Sequence, residues 1–281
     1  MNKINEKYLK VSDIANPTDE QLKILQKFSG APKGTRIRIY DADTMELLDT
    51  VENKVVITGS MITAAKLFDI PYPVQIPTYN SEMNLENSHP QGTDPLNPPI
   101  ICLFCVGDSG CGTTETDVYT VKYIDRIKPV DDIMPFRYVD AASDLDSTLR
   151  GKYFGRKVLD NGMIAYYFKA FETEPQMFMR YTDSTDITPD IYNVETSQDA
   201  DCFVDLELLI NAVDFRDYFD KVLGWDHARI STISLCHAWY DDTIDEYKWY
   251  QDIMPYSKLN FAFEKLVDST KSILFKYDIF Y

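Results

Sequence analysis

The chain has 281 residues, of which 44% are hydrophobic and 26% charged, a profile typical of a globular protein with one large domain or two smaller ones. Its 45 acidic residues exceed its 28 basic residues, and the net charge of −17 argues against nonspecific nucleic-acid binding and against anionic membrane surfaces. No apolar run is long enough to span a membrane, and no apolar stretch that would indicate a secretory signal follows the N-terminus. Five Cys are too few for a disulfide framework in a chain of this length, so we expect reduced thiols in a protein made in a cytoplasm.

The first predicted element is a helix over residues 18–28. Thr18 and Gln21 have the spacing of a capping box, and Ser29-Gly30 is typical of a helix end. The apolar face of this helix consists of Leu22, Leu25 and Phe28.

Residues 36–70 predict three strands and a second helix. Ile37 and Ile39 alternate with more polar residues as in a strand, residues 41–44 are typical of a turn, and residues 46–51 are predicted as the returning strand. The stretch "NKVVITGS" is predicted as a third strand. A short helix then follows in "SMITAAKLFDI", with Ser60 as its N-cap.

The proline content of the sequence rises over residues 69–99. Because proline lacks the backbone N–H that strand and helix interiors require, we expect a long extended segment here. We predict that it is an arm ordered by a neighbouring subunit, and a surface loop without a partner fits the composition equally well. The prolines are Pro71, Pro73, Pro77, Pro90, Pro95, Pro98 and Pro99.

The remainder of the chain predicts mostly strands, which an aromatic content of 19 Tyr, 15 Phe and 3 Trp also favours. Asn161-Gly162 predicts a type I′ hairpin turn within residues 156–172. An amphipathic helix is predicted over residues 211–224, with Val213, Phe215 and Phe219 on one side and Gly224 at its end. The other predicted strands are residues 100–106, 117–124, 137–139, 202–210, 229–240 and 271–281.

Together these elements predict a mainly β fold with a few short α-helices, a β-rich α+β class. We expect a sandwich-like or mixed-sheet core with a long Pro-rich extended loop. Residues 1–281 are predicted to form one domain, with a possible subdivision near residues 95–100.

The sequence "GDSG" at residues 107–110 is similar to the loop around the nucleophile of a chymotrypsin-type serine protease. A serine nucleophile needs a His base, but only His89 precedes Ser109, and Cys111 stands where that pattern has a second Gly. We therefore interpret the stretch as a turn between strands. The glycines predicted to supply positive φ there are Gly107, Gly110 and Gly112.

A cysteine cluster raises the question of a metal site. The residues concerned are Cys102, Cys105, Cys111 and Cys236, with His227 and His237 as possible partners. The first two have the Cys-x-x-Cys spacing of half a zinc site, but they lie in a predicted strand, where side chains three apart point to opposite faces. We predict buried thiols that act as small apolar residues. A structural zinc, and a Cys nucleophile paired with a His, remain open alternatives.

Acidic clusters and tryptophans give no specific signal of a site. The clusters "YTDSTDITPD" and "WYDDTIDE" match no Ca²⁺ loop and are interpreted as solvated charge. Trp225, Trp239 and Trp249 are compatible with sugar stacking, with interface anchors and with core packing. With no Walker or dinucleotide motif present, we predict no catalytic, cofactor-binding or metal-binding residues.

Collinear motifs from about residue 28 to the end resemble a family of virion structural proteins of large tailed bacteriophages. The motifs are "FSGAPKGTRIRI", "NKVVITGSMITAAKLFDI", "LFCVGDSGCG", "PFRYV", "KYFGRK", "AYYFKAFETEP", "ISLCHAWYDD" and "LNFAFEKLVDSTKSI". The resemblance implies a non-enzymatic assembly component of the tail baseplate or of the neck that connects head and tail. It implies no catalytic residue.

The resemblance also implies the partners and the location. The partners are other virion proteins and copies of the same chain, in a homo-oligomeric ring or a hetero-complex, without nucleic acid or membrane. The protein is made in the host cytoplasm and ends in the virion. We expect residues 69–99 to be the interface arm and Tyr and Trp side chains on strand faces to be anchors. A receptor- or carbohydrate-binding module of the particle is the alternative, and a hydrolase built on Ser109 or a Cys is the third hypothesis.

Overall fold

The computed structural model describes residues 34–52, 54–69, 78–86, 99–108, 110–113, 119–121, 133–181, 200–211, 213–241, 249–265 and 272–280. Within these residues two antiparallel sheets face each other across one hydrophobic core, and a few short helices lie beside them. The mainly β fold class with few short helices is therefore confirmed.

The elements are as follows. In chain order the strands are β1 (Gly34–Asp41), β2 (Leu47–Glu52), β3 (Lys54–Val55), β4 (Ile100–Gly107), β5 (Cys111–Thr113), β6 (Tyr119–Val121), β7 (Arg137–Asp140), β8 (Tyr153–Val158), β9 (Met163–Ala170), β10 (Gln176–Tyr181), β11 (Ala200–Ile210), β12 (Arg229–Asp241), β13 (Trp249–Lys265) and β14 (Ile273–Phe280). The helices are α1 (Ile57–Phe68), α2 (Tyr79–Met83), α3 (Ser147–Arg150) and α4 (Arg216–Tyr218), the last continued by a π-helical turn over Phe219–Leu223. Among the described helices none is long and apolar enough to cross a membrane.

Sheet 1 has the strand order β10-β11-β14-β1-β2. Its central strands alternate as the sequence predicts: Ile37 and Ile39 are fully buried against the core, whereas Arg38 lies on the opposite face. There Arg38 donates two hydrogen bonds to the carboxylate of Asp278 on β14, at 3.1 and 2.9 Å. Sheet 1 therefore presents an apolar inner face and an outer face that carries charge.

Sheet 2 has the order β3-β13-β12-β4-β9-β7, and β8 pairs with β9 outside this path. Residues 102–107 of β4 and 230–238 of β12 are all buried. One face of this sheet meets sheet 1, and the other carries a second apolar cluster that includes α2. Because both faces are covered, β4 is a continuous apolar run rather than an alternating one. β12 is also buried on both faces, but it includes the polar residues Ser231, Thr232, Ser234 and His237.

The third strand and the following helix differ from the prediction. β3 has only two residues, and α1 begins at Ile57 rather than after Ser60, with Val56 as an N-cap that makes no side-chain bond. The helix packs closely on β13: a Cβ on Gly59 would lie 2.3 Å from the carbonyl oxygen of Tyr256, so the helix can approach β13 this closely only with glycine there.

The longest strand, β13, was not predicted. It pairs with β12, but the register shifts between Leu235 and Cys236 and again between His237 and Trp239. Asp252 within it has a φ of 50°. These irregularities break the two-residue period on which sequence-based strand prediction depends.

Two further local predictions are corrected. The hairpin of β8 and β9 is present, but only Gly162 has a positive φ, at 77°, and its N–H donates to Leu159 O at 3.0 Å, which indicates a type I turn with a bulge rather than type I′. The predicted helix over 211–224 is reduced to α4 and its π-helical turn. Phe215 and Phe219 are buried as expected, whereas Val213 is 47% exposed.

The Pro-rich segment contains more structure than predicted. Thr78 caps α2, and Asn80 and Met83 of this helix are buried against sheet 2. The rest of the predicted arm, residues 70–77 and 87–98, lies outside the described residues, as do the predicted helix over residues 18–28 and most of the predicted strand around β6.

Candidate functional site

The glycine-rich stretch after β4 packs directly against β12. Ser109 and His89 lie outside the described residues, so a contact between them stays untested. Gly110 has no positive φ, and neither has Gly107, so that part of the prediction is wrong. A Cβ on Gly110 would lie 2.0 Å from the carbonyl oxygen of Ser231, so this position is glycine because the two backbones meet closely.

The two described histidines lie in different environments. His227 is exposed in the short 3-10 turn after Gly224, whereas His237 is fully buried in β12. Burial lowers the pKa of His237 to about 3, and the nearby charge of Lys66 acts in the same direction. The His237 imidazole is therefore neutral across the physiological range.

The cysteines are mostly buried thiols, as predicted. Cys105 and Cys236 lie on neighbouring strands with their Sγ atoms 3.9 Å apart. Burial raises the pKa of Cys102 to about 12, although a backbone hydrogen bond from Ala238 and the charge of Lys66 lower it. Within the described parts of the chain, no group of three or more His, Cys, Asp or Glu side chains is placed to hold a metal ion.

A buried ionic cluster, which we call the Lys169 cluster, connects the two sheets. Lys169 on β9 is fully buried, and its Nζ donates to Leu209 O at 2.8 Å and to Asp214 Oδ2 at 2.9 Å. A third contact, 2.9 Å from Nζ, is Oε1 of Glu172. Because Leu209 belongs to β11 of sheet 1, one ammonium group links strands of both sheets.

Asp214 completes this cluster. Its side chain is also fully buried; Oδ1 accepts from the Tyr153 hydroxyl at 2.5 Å, and Oδ2 accepts from the Asn211 N–H at 2.8 Å. Burial, followed by the negative charge and hydrogen bond of Asp214, raises the pKa of Tyr153. Lys, Tyr and Asp side chains at these distances are chemically capable of proton transfer, but the complete burial of Lys169 and Asp214 separates them from solvent-borne substrates.

The Lys169 cluster was not found by sequence reasoning. Lys169 and Asp214 are separated by 45 residues in sequence, and the second lies in a turn that the sequence assigns to a helix. One signal was available: Lys169 is the single charge within the run "AYYFKAF". A Lys inside an otherwise apolar strand is rarely buried without an acidic partner.

A second ionic cluster holds the end of the segment that contains α2. Arg156 on β8 donates to Asp144 Oδ2, with Nε at 3.2 Å and Nη2 at 3.1 Å, and its Nη1 pairs with Glu86. The Glu86 N–H also donates to Arg156 O at 2.8 Å. Partial burial acts to raise the pKa of Asp144, but hydrogen bonds from Tyr166 and from the Leu145 N–H, together with the charge of Arg156, outweigh it, so the pKa is lowered. Arg156 thus fixes where the chain leaves α2.

The tryptophans in the described residues serve structural contacts. The Nε1–H of Trp225 donates to Asp220 at 2.6 Å, and its ring lies 5.3 Å from that of Phe219. Trp239 is partly buried against the core. The side chain of Trp249 and most of the two acidic clusters lie outside the described residues, so their proposed roles remain predictions.

The two most exposed large apolar residues of the described part of the chain are consecutive residues at the end of α1. Leu67 is 72% exposed and Phe68 is 73% exposed, more than any other large apolar residue in the described part of the chain. We call this pair the α1 patch.

Comparisons of the chain with protein-family models, with curated proteins and with solved structures found no match.

Proposed function

We propose that the protein is a structural component of a tailed-phage virion that acts through contacts with other subunits at the neck or the baseplate. The observation that carries the proposal is the α1 patch, where the consecutive residues Leu67 and Phe68 each expose nearly three quarters of their surface. Large apolar side chains exposed together are typical of protein–protein contact sites. The assignment to a tailed-phage virion rests on the collinear motifs that resemble virion structural proteins.

The reactive side chains of the described residues add support. His237 and Cys236 are fully buried, and the Lys169 ammonium group is held by acceptors within the protein. Groups buried in these positions are shielded from substrates in solution. The partners proposed are copies of this chain and other virion proteins, which would cover the α1 patch.

The test measures incorporation into particles. Full-length tagged chain is supplied to a culture that produces the particles, and the particles are purified by density-gradient sedimentation. We expect the wild-type chain to sediment with particles. We expect L67E/F68E to be incorporated at least ten-fold less, because two carboxylates in an apolar contact must be desolvated, a loss of about 1.4 kcal/mol or more.

V222E is the matched control, since Val222 is 53% exposed but lies in the π-helical turn outside the α1 patch. It should be incorporated like the wild type. A wild-type chain that is absent from particles would contradict the virion assignment. A double variant that is incorporated normally would instead contradict the role of the α1 patch.

A further inference from the structure

An aromatic row crosses sheet 1 at one end. Phe178 on β10 is in register with Phe203 on β11, which is in register with Phe280 on β14. The ring centroids are 5.7 Å apart for the first pair and 5.4 Å for the second. On the next strand the same row continues with Gly34, the first described residue.

The aromatic row lies on the outer face of sheet 1. Ile279, the neighbour of Phe280, is part of the core between the sheets, and Val204, the neighbour of Phe203, packs against that core. Successive side chains of a strand point to opposite faces, so the row points away from sheet 2. The core clusters of the described residues accordingly include neither Phe203 nor Phe280.

Two of the three rings are nevertheless buried: Phe203 is 6% exposed and Phe280 is 8% exposed. Phe178, at the edge of the sheet, is partly exposed. The described helices pack against β7, β8 and β13, which are strands of the other sheet. The described helices therefore pack on sheet 2 rather than on the aromatic row.

The N-terminal segment joins sheet 1 at the aromatic row. The chain enters β1 at Gly34, within the row itself. Residues 29–33 connect this point to the predicted helix over residues 18–28 and reach at most about 17 Å when extended. The row spans three strand spacings, about 14 Å. A helix on so short a connection can reach this end of the sheet and little else of the outer face.

The sequence of the segment suits the task. Gly30 and Pro32 allow the chain to reverse direction before β1. The predicted helix has one apolar face, Leu22, Leu25 and Phe28, and a face that includes Lys23 and Lys27 opposite to it.

We propose that residues 18–28 bind as an amphipathic helix on the aromatic row of the same chain, with Leu22, Leu25 and Phe28 against Phe178, Phe203 and Phe280. The helix would supply the third layer over sheet 1 that the described residues leave out. This docking is independent of the virion assignment.

Photo-crosslinking in the full-length protein tests the proposal. Benzoylphenylalanine replaces Phe28 in one sample and Lys23, on the opposite helix face, in the control. We expect the probe at position 28 to form intramolecular cross-links to peptides that contain Phe178, Phe203 or Phe280, identified by mass spectrometry, and the probe at position 23 to form at least about ten-fold fewer. Cross-links between two copies, cross-links to residues 182–199 alone, or no cross-link at all would overturn the proposal.

A second measurement uses binding of an apolar dye to the full-length chain. L25Q/F28Q removes the contact face and should raise dye fluorescence at least about two-fold, because the aromatic row becomes accessible. K23Q/K27Q changes the opposite face and should bind dye like the wild type. Equal dye binding by the two variants would count against the docking.

Discussion

Burial of the single residue His237 affects how the stability of the protein depends on pH. Its imidazole is held neutral in β12, with its pKa lowered to about 3. In an unfolded chain a His has a pKa of about 6.5. Between these two values the unfolded chain binds one proton more than the folded protein, so protonation favours unfolding as the pH falls.

We therefore expect the free energy of unfolding to decrease from pH 6.5 to pH 5 by up to about 1.4 kcal/mol per pH unit owing to this residue, and H237Q to lack this component. Urea unfolding at several pH values measures the difference in slope between the two proteins. H227Q is the control, because His227 is exposed. Parallel pH dependences for H237Q and the wild type would show that His237 is not held neutral.

At the level of elements, the short helix α2 packs part of the Pro-rich segment against a buried apolar cluster of sheet 2. The ring of Tyr79 on this helix lies 5.3 Å from the ring of Phe168. The next residue, Asn80, accepts a hydrogen bond at its Oδ1 from the Ile253 N–H on β13, at 2.8 Å. One side chain thus satisfies a backbone donor of the neighbouring strand at a buried position.

We expect N80A to lower the free energy of unfolding by about 1–3 kcal/mol, because the Ile253 N–H stays buried without its acceptor. Urea unfolding measures the loss. S81A, which removes the exposed N3 hydroxyl that accepts from the Thr78 N–H in the capping box of the same helix, should cost about 1 kcal/mol or less. If N80A cost no more than S81A, α2 would not be held by this bond.

At the scale of the whole molecule, the Lys169 cluster makes the two sheets depend on each other. Lys169 belongs to sheet 2, and its acceptor Leu209 O belongs to sheet 1. Removal of the ammonium group leaves the Asp214 carboxylate buried without a counter-charge. The cost of an uncompensated buried charge exceeds what the complete pair contributes.

We expect K169M to destabilise the protein by about 3–5 kcal/mol, and K169M/D214N to recover part of this loss because the buried charge is gone. Guanidinium unfolding of the single and double variants measures both values. K276M is the control, since Lys276 pairs with Glu207 on the partly exposed outer face and should cost about 1 kcal/mol or less. A double variant no more stable than K169M would argue against charge burial as the cause.

The sequence by itself determined the fold class and most strands. Alternation at Ile37 and Ile39 identifies β1, and the same period over residues 273–279 identifies β14, because the two faces of these strands meet different surroundings. The prediction of buried, apolar thiols in β4 follows from a continuous apolar run in the same way. Such patterns are local, so they can be read without knowing what lies opposite.

Only the tertiary structure decided which segments meet. The pairing of β1 with β14, the close approach of Gly59 to β13 and the ion pair of Lys169 with Asp214 all depend on contacts between distant parts of the chain. The strand β13 escaped prediction because its bulges interrupt the period, while pairing with β12 maintains it as a strand. Periodicity reports how a residue is oriented within its own element; it carries no information about the partner, since many pairings bury the same apolar face.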